Sequence, residues 1–131
     1  MKTAFERAMT VLPLDHDQMA GQEVRREFAD LGVGLAEFLG RVAGGSPFLR
    51  GLMLREAGFL RAALGQQMAL VVPQVLIDLQ GLVLAGAAVG LRQAKRRVAL
   101  WTALCDLAGV WDLTAVTGAL TALADAAVAV S

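Results

Sequence analysis

The strongest constraint on this fold is the spacing of the apolar residues, which recur alternately every three and four positions. One such seam contains Leu91, Ala94, Val98, Trp101, Cys105 and Ala108. Residues at this spacing lie on one face of an α-helix, and no segment of the sequence shows the sustained alternation of a half-buried strand. Hydrophobic residues make up 56% of the 131-residue chain and aromatic residues only 5%. This composition favours α-helix over β-sheet. The sequence therefore predicts an all-α protein.

About five helices are predicted, and the short connections between them favour an antiparallel bundle. Residues 1–20 are expected to form an irregular lead-in, and residues 21–131 a single helical domain. The first helix is expected to begin at about Gln22 and to end at Gly44 and Gly45. Its inward face is predicted to carry Val24, Phe28, Leu31, Leu35, Phe38 and Val42.

The other helices are predicted from start and stop signals. Ser46 as N-cap and Pro47 at the first position begin the second helix. Its inward residues are predicted to be Phe48, Leu52, Phe59, Leu60 and Leu64. The third spans about 68–89, with Pro73 in its first turn, where a missing N–H is harmless. The fourth begins near Leu91 and ends at a Gly109 cap, and Asp112 is expected to cap the last.

Charge and cysteine content exclude several functional classes. Twelve basic and twelve acidic side chains cancel, so no net field attracts nucleic acid or an anionic membrane. The single Cys105 excludes an intrachain disulfide and a multi-thiolate zinc site, and its place on the apolar seam predicts core packing. The apolar run 81–91 is shorter than the roughly 20 residues of a membrane-spanning helix. We expect a cytoplasmic protein that does not bind nucleic acid, and these features argue against a membrane-spanning helix.

The sequence Asp15-His16-Asp17 is the one place where carboxylates and an imidazole crowd together. An Asp-x-Asp pair on a strand can hold magnesium, because alternate side chains project to the same side. Pro13 and Leu14 before the pair do not predict a strand, and His16 has no evident nucleophile beside it. We therefore interpret this segment as a solvated loop.

The most prominent charged feature is the basic cluster formed by Arg92, Lys95, Arg96 and Arg97. At helical spacing Arg92, Lys95 and Arg96 share a face, and Arg97 lies about 100° further round. No acidic residue lies between Asp78 and Asp106 in the sequence. The cluster is either a solvated helix face whose long stems shield apolar neighbours or a contact for phosphate or a carboxylate-rich partner. It is the candidate partner-binding site.

Two segments carry a family resemblance. Residues 46–64, SPFLRGLMLREAGFLRAAL, have a Ser-Pro-hydrophobic-Leu start followed by an arginine-bearing helix. Residues 91–127 combine an RxxKRR helix, a Gly-x-Trp corner and a Val-Thr-x-x-Leu-x-x-Leu-Ala-Asp helix. With Phe28-Ala29-Asp30-Leu31, they resemble the N-terminal helical region of glutamine synthetase adenylyltransferase/adenylyl-removing enzymes. The segment 80–90, QGLVLAGAAVG, departs from the mixed polar pattern of that family.

The resemblance implies a role in nitrogen regulation. The family attaches AMP to a tyrosine of glutamine synthetase and removes it again, using magnesium and ATP in nucleotidyltransferase domains that follow the helical region. No catalytic, cofactor-binding or metal-binding residue of the family has a counterpart here, so this chain alone is expected to be inactive. The implied partners are glutamine synthetase and the rest of the adenylyltransferase.

Three functions remain open from the sequence. The chain is a helical, non-catalytic segment of the adenylyltransferase, an independent helical protein that associates with itself or a partner, or a small membrane-associated helical protein. The first rests on the resemblance, and the second on the surplus of apolar residues. The third rests only on the hydropathy of residues 68–91.

Overall fold

The computed structural model describes residues 3–66, 68–84 and 89–110, together with positions 118, 121, 122 and 125. These residues form α-helices and one short 3₁₀ helix, without a strand among them. The all-α prediction is therefore confirmed. The described helices are α1 Ala4–Ala8, α2 Gln18–Glu27, α3 Val33–Gly45, α4 Pro47–Arg55, α5 Ala57–Leu64, α6 Met68–Leu84 and α7 Val89–Leu107. The predicted last helix, from Asp112 onwards, lies outside the described residues.

Two helical starts lie within the stretch expected to be irregular. Thr3 caps α1, because its hydroxyl accepts a hydrogen bond of 3.2 Å from the backbone N–H of Glu6. Asp17 caps α2 by accepting a bond of 3.0 Å from the N–H of Ala20. The Thr-x-x-Glu spacing of Thr3 and Glu6 is the sequence signal for such a start, so the expectation of a wholly irregular lead-in was wrong.

The predicted first helix is broken between α2 and α3. Residues 29–31 form the 3₁₀ turn, and Gly32 has a φ of 103°, outside the right-handed helical region. Only glycine adopts this conformation at little cost, and it ends the helical hydrogen-bond pattern. The predicted inward residues are nonetheless buried, except for Leu31, which is half-buried. The break redirects the chain without moving the apolar seam out of the core.

Helices α2 and α3 approach each other through glycines. A Cβ atom on Gly21 would overlap the carbonyl oxygen of Gly40, and one on Gly40 would lie 2.5 Å from Cγ of Arg25. Close backbone contact is possible there because neither residue has a side chain.

The predicted second helix is split at Glu56 into α4 and α5. The Ser46 cap is confirmed by a 3.2 Å bond from the N–H of Leu49 to its hydroxyl. Leu52, Leu60 and Leu64 are buried as predicted, and Phe59 is half-buried. Phe48 was wrongly placed inward, since it is 69% exposed.

Helix α6 contains Pro73 as its sixth residue, beyond the first turn in which it was predicted.

In α7 the predicted seam is buried from Ala94 to Ala108, with Leu91 half-buried. The Gly109 cap is confirmed: φ is 70°, and the N–H of Val110 bonds to the carbonyl of Cys105 at 3.0 Å. This is the Schellman arrangement. Breaks at Gly32 and Glu56 and the added α1 account for the larger number of helices.

Trp101 lies at the centre of the core. Its ring is fully buried, with its centroid 5.3 Å from that of Phe5, which is in turn 5.8 Å from Phe38. These tilted aromatic contacts join α1, α3 and α7. The N-terminal segment is therefore part of the core.

The glycine contact predicts opposite effects for two alanine substitutions. Gly21→Ala should lower the free energy of unfolding by about 1–3 kcal/mol, because the new methyl group overlaps the α3 backbone. The control Gly51→Ala meets no atom within 4 Å and should raise it by about 0.5–1 kcal/mol, because alanine favours helix. Urea denaturation measures both; destabilisation by Gly51→Ala equal to that by Gly21→Ala would contradict the packing.

Candidate functional site

The basic cluster on α7 is divided by the structure into two pairs. Arg92 and Lys95 are exposed, whereas the side chains of Arg96 and Arg97 are only 27% and 25% exposed. Arg96 and Arg97 point towards the junction between α4 and α5, and their positions are explained by one carboxylate.

Glu56 supplies that carboxylate. It occupies the single-residue break between α4 and α5, and the residue is only 6% exposed. One carboxylate oxygen accepts a 3.2 Å bond from Nε of Arg96, and the other a 2.8 Å bond from Nε of Arg97. The Arg97 guanidinium also lies 5.1 Å from the ring centroid of Phe59, a cation–π distance. A buried acid is thus satisfied by two cations from one turn of α7.

This ion-pair triad changes the interpretation of the cluster. Arg96 and Arg97 hold α7 against α4 and α5, so the exposed cationic surface consists of Arg92 and Lys95. The acidic partner lies 40 residues before Arg96 in the sequence, which is why the local charge pattern did not reveal it. One signal was available: Glu56 falls four residues after the inward-facing Leu52, and an acid on a buried helix face requires a cation.

The Asp15-His16-Asp17 segment has a structural role. A carboxylate oxygen of Asp15 lies 3.3 Å from Nη2 of Arg25, and Asp17 caps α2. Over the described ranges, no three His, Cys, Asp or Glu side chains gather in a way that would hold a metal ion. His16 borders a pocket of about 190 Å³ beside Arg41 and Ser46. The two carboxylates therefore make folding contacts.

A second charged network joins the lead-in to α3. Glu37 accepts hydrogen bonds from Nε of Arg41 at 2.8 Å and from Nε of Arg25 at 3.2 Å. Nη1 of Arg41 also donates to the carbonyl of Pro13 at 3.2 Å. The bonds from Arg41 and then Arg25 hold the pKa of Glu37 below its ordinary value, because they favour the charged carboxylate.

Cys105 is a core residue and not a reactive thiol. Cys105 is fully buried, which confirms its predicted core position, and burial raises the pKa of its thiol. A neutral buried thiol is a poor nucleophile.

Within the residues that the structure describes, no helix is both long and apolar enough to cross a membrane.

Comparison with known proteins decides the family. The family model described as glutamate-ammonia ligase adenylyltransferase matches residues 36–131. These residues include both segments that resemble the family in sequence, and the basic cluster with its partner Glu56. The chain belongs to this family.

A curated relative of the adenylyltransferase family agrees. The bifunctional glutamine synthetase adenylyltransferase/adenylyl-removing enzyme of Caulobacter vibrioides is 38% identical over 92 residues, which cover 67% of this chain. The same stretch covers 9% of that enzyme, so the chain matches only about a tenth of its length. No solved structure matches the chain.

The triad predicts a large effect of neutralising Glu56. Glu56→Gln keeps the side-chain size but leaves two partly buried guanidinium groups without a counter-charge, and should lower the free energy of unfolding by about 2–3 kcal/mol. The control Glu23→Gln removes an ion pair with Arg50 in which the Glu23 side chain is 60% exposed. It should lower the free energy of unfolding by at most about 1 kcal/mol. Equal losses in urea denaturation would contradict the role of Glu56.

The Glu37 network predicts acid sensitivity. A carboxyl whose pKa is lowered by folding stabilises the native state above its unfolded pKa, ordinarily 4.5, and this contribution is lost as pH falls through the lower folded pKa. Stability should therefore decrease below about pH 4.5, and less steeply in Glu37→Gln. Urea midpoints measured across that range test this; identical acid slopes in the two proteins would refute it.

Proposed function

We propose that this chain is a non-catalytic helical segment of a glutamine synthetase adenylyltransferase that supports the enzyme and contacts its protein partner. The observation that carries this proposal is the family match over residues 36–131, combined with coverage of only 9% of the curated relative. The segment is proposed to be an antiparallel bundle in the cytoplasm and to act without its own magnesium or ATP.

The contacts of the acidic residues support a non-catalytic role. Magnesium-dependent AMP transfer requires carboxylates that are free to bind the metal. Asp15 is engaged by Arg25, and Asp17 by the N-terminus of α2. Glu37 and Glu56 each accept hydrogen bonds from two arginines. These groups stabilise the fold, and none is arranged as a ligand set.

The proposed contact for glutamine synthetase is the pair Arg92 and Lys95. Both are exposed, while the neighbouring Arg96 and Arg97 fix α7 in place through Glu56. The two exposed cations are therefore presented from a positioned helix, which reduces the entropy lost when an acidic surface binds. Glutamine synthetase is proposed because the curated relative is named as acting on it; the rest of the adenylyltransferase is the alternative partner.

Binding of the purified chain to glutamine synthetase tests the partner. We expect a salt-sensitive complex, and a loss of affinity of about tenfold or more in the variant Arg92→Glu/Lys95→Glu, since two attractive charges become repulsive. The matched control is Arg7→Glu/Arg26→Glu, which reverses two other exposed arginines. Equal weakening by both variants, or no complex with the wild type, would contradict the proposed contact.

Transfer of labelled AMP tests the catalytic part separately. The chain, incubated with glutamine synthetase, magnesium and ATP labelled at the α-phosphate, should leave the synthetase unlabelled. Incorporation above a control lacking the chain would show catalysis and would overturn the non-catalytic role.

A further inference from the structure

An apolar groove of about 400 Å³ lies between the segment after α1 and the start of α3. It is lined by Met9, Thr10, Val11, Leu12, Val33, Gly34 and Glu37. Val33 is 88% exposed, Val11 52% and Leu12 48%. Several large apolar side chains exposed at one concave site indicate an interaction surface rather than a solvated loop.

The groove is held in shape by backbone contacts. The N–H groups of Thr10 and Val11 both bond to the carbonyl of Ala108, at 2.8 and 3.1 Å. The hydroxyl of Thr10 donates to the carbonyl of Gly109 at 2.9 Å. The apolar wall therefore rests on the C-terminal cap of α7, and a ligand would find the groove already formed.

One carboxylate lies next to the groove, beside a residue that lines it. Glu6 lies against Gly34, where a Cβ atom would overlap its Oε1. In the described part of the chain its side chain makes no ion pair, whereas Glu37, which lines the groove itself, is engaged by Arg25 and Arg41. The apolar groove and the neighbouring Glu6 carboxylate, which has no ion-pair partner among the described residues, together suit an apolar side chain followed by a cation.

The outward face of α4 has these features in that order. Phe48 is 69% exposed, Gly51 has open space around it, and Arg55 is exposed. The three residues follow each other at spacings of three and four, so they share one helix face. Phe48 and Arg55 are separated by about 10 Å along the axis. Gly51 between them has no side chain to keep a partner away.

We propose that the groove binds the α4 face of a second copy of this chain. Phe48 of one copy inserts among Val11, Leu12 and Val33 of the next, and Arg55 approaches Glu6. The two surfaces are different, so the contact is heterologous. In a dimer, one copy keeps its groove unoccupied and the other keeps its α4 face unoccupied, so further copies can add at both ends. Because one aromatic side chain and one exposed ion pair form a small interface, we expect a dissociation constant on the order of 0.1 mM.

Sedimentation of the wild-type chain tests the association. Its average mass should rise beyond that of a dimer as the concentration increases from about 10 µM to about 1 mM. Val33→Glu and Phe48→Glu should each remain monomeric. Both substitutions place an acid in the first turn of a helix, where it is tolerated, and circular dichroism checks that each variant is folded. The control Ile77→Glu replaces another exposed apolar residue, 60% exposed on α6, and should associate like the wild type.

Mixing the two monomeric variants gives the decisive result. Val33→Glu retains an intact α4 face and Phe48→Glu an intact groove, so the equimolar mixture should form a 1:1 dimer that does not grow further. A wild-type chain that stays monomeric, a mixture that stays monomeric, or loss of association in Ile77→Glu would each overturn the proposal. None of these outcomes depends on glutamine synthetase, so the proposed function is tested independently.

Discussion

The position of α7 depends on the carboxylate of Glu56. This residue lies in the break between α4 and α5 and is almost fully buried, and each of its carboxylate oxygens accepts a hydrogen bond from an α7 arginine. An acid in this position would be strongly destabilising without a counter-charge. Two cations satisfy it, and they do so only when α7 lies against the α4–α5 junction. The triad therefore selects one arrangement of these helices, whereas apolar contacts alone are less directional.

The same interaction determines which basic side chains of α7 remain exposed. As sequence alone, the cluster of four basic residues is consistent with either a solvated helix face or a binding surface. In the folded chain, Arg96 and Arg97 are used internally, and Arg97 also covers Phe59. Arg92 and Lys95 remain exposed on a helix whose position is fixed. Six consecutive residues of α7 thus contain a pair that binds Glu56 and an exposed pair, which is the proposed partner contact.

The sequence predicted the periodic features well and the tertiary ones poorly. The α7 seam, the Ser46 cap and the Gly109 cap were predictable because each depends on local spacing or local backbone chemistry. The break at Gly32 was missed because the apolar seam continues across it. The break at Glu56 and its ion pairs were missed because the partners lie about 40 residues away, and the exposure of Phe48 was missed because helical spacing alone does not show which neighbours cover a face. The division of the basic cluster into an engaged pair and an exposed pair could be seen only in the fold, because Glu56 is distant in sequence.

A double-mutant cycle between Glu56 and Arg97 tests the central claim most directly. The free energies of unfolding of the wild type, Glu56→Gln, Arg97→Gln and the double variant give the coupling between the two side chains. We predict a coupling of about 1–3 kcal/mol, and a value below about 0.5 kcal/mol for the parallel cycle between Glu56 and Lys95. Equal coupling in the two cycles, or none in either, would contradict the conclusion that Glu56 fixes α7 through its arginines.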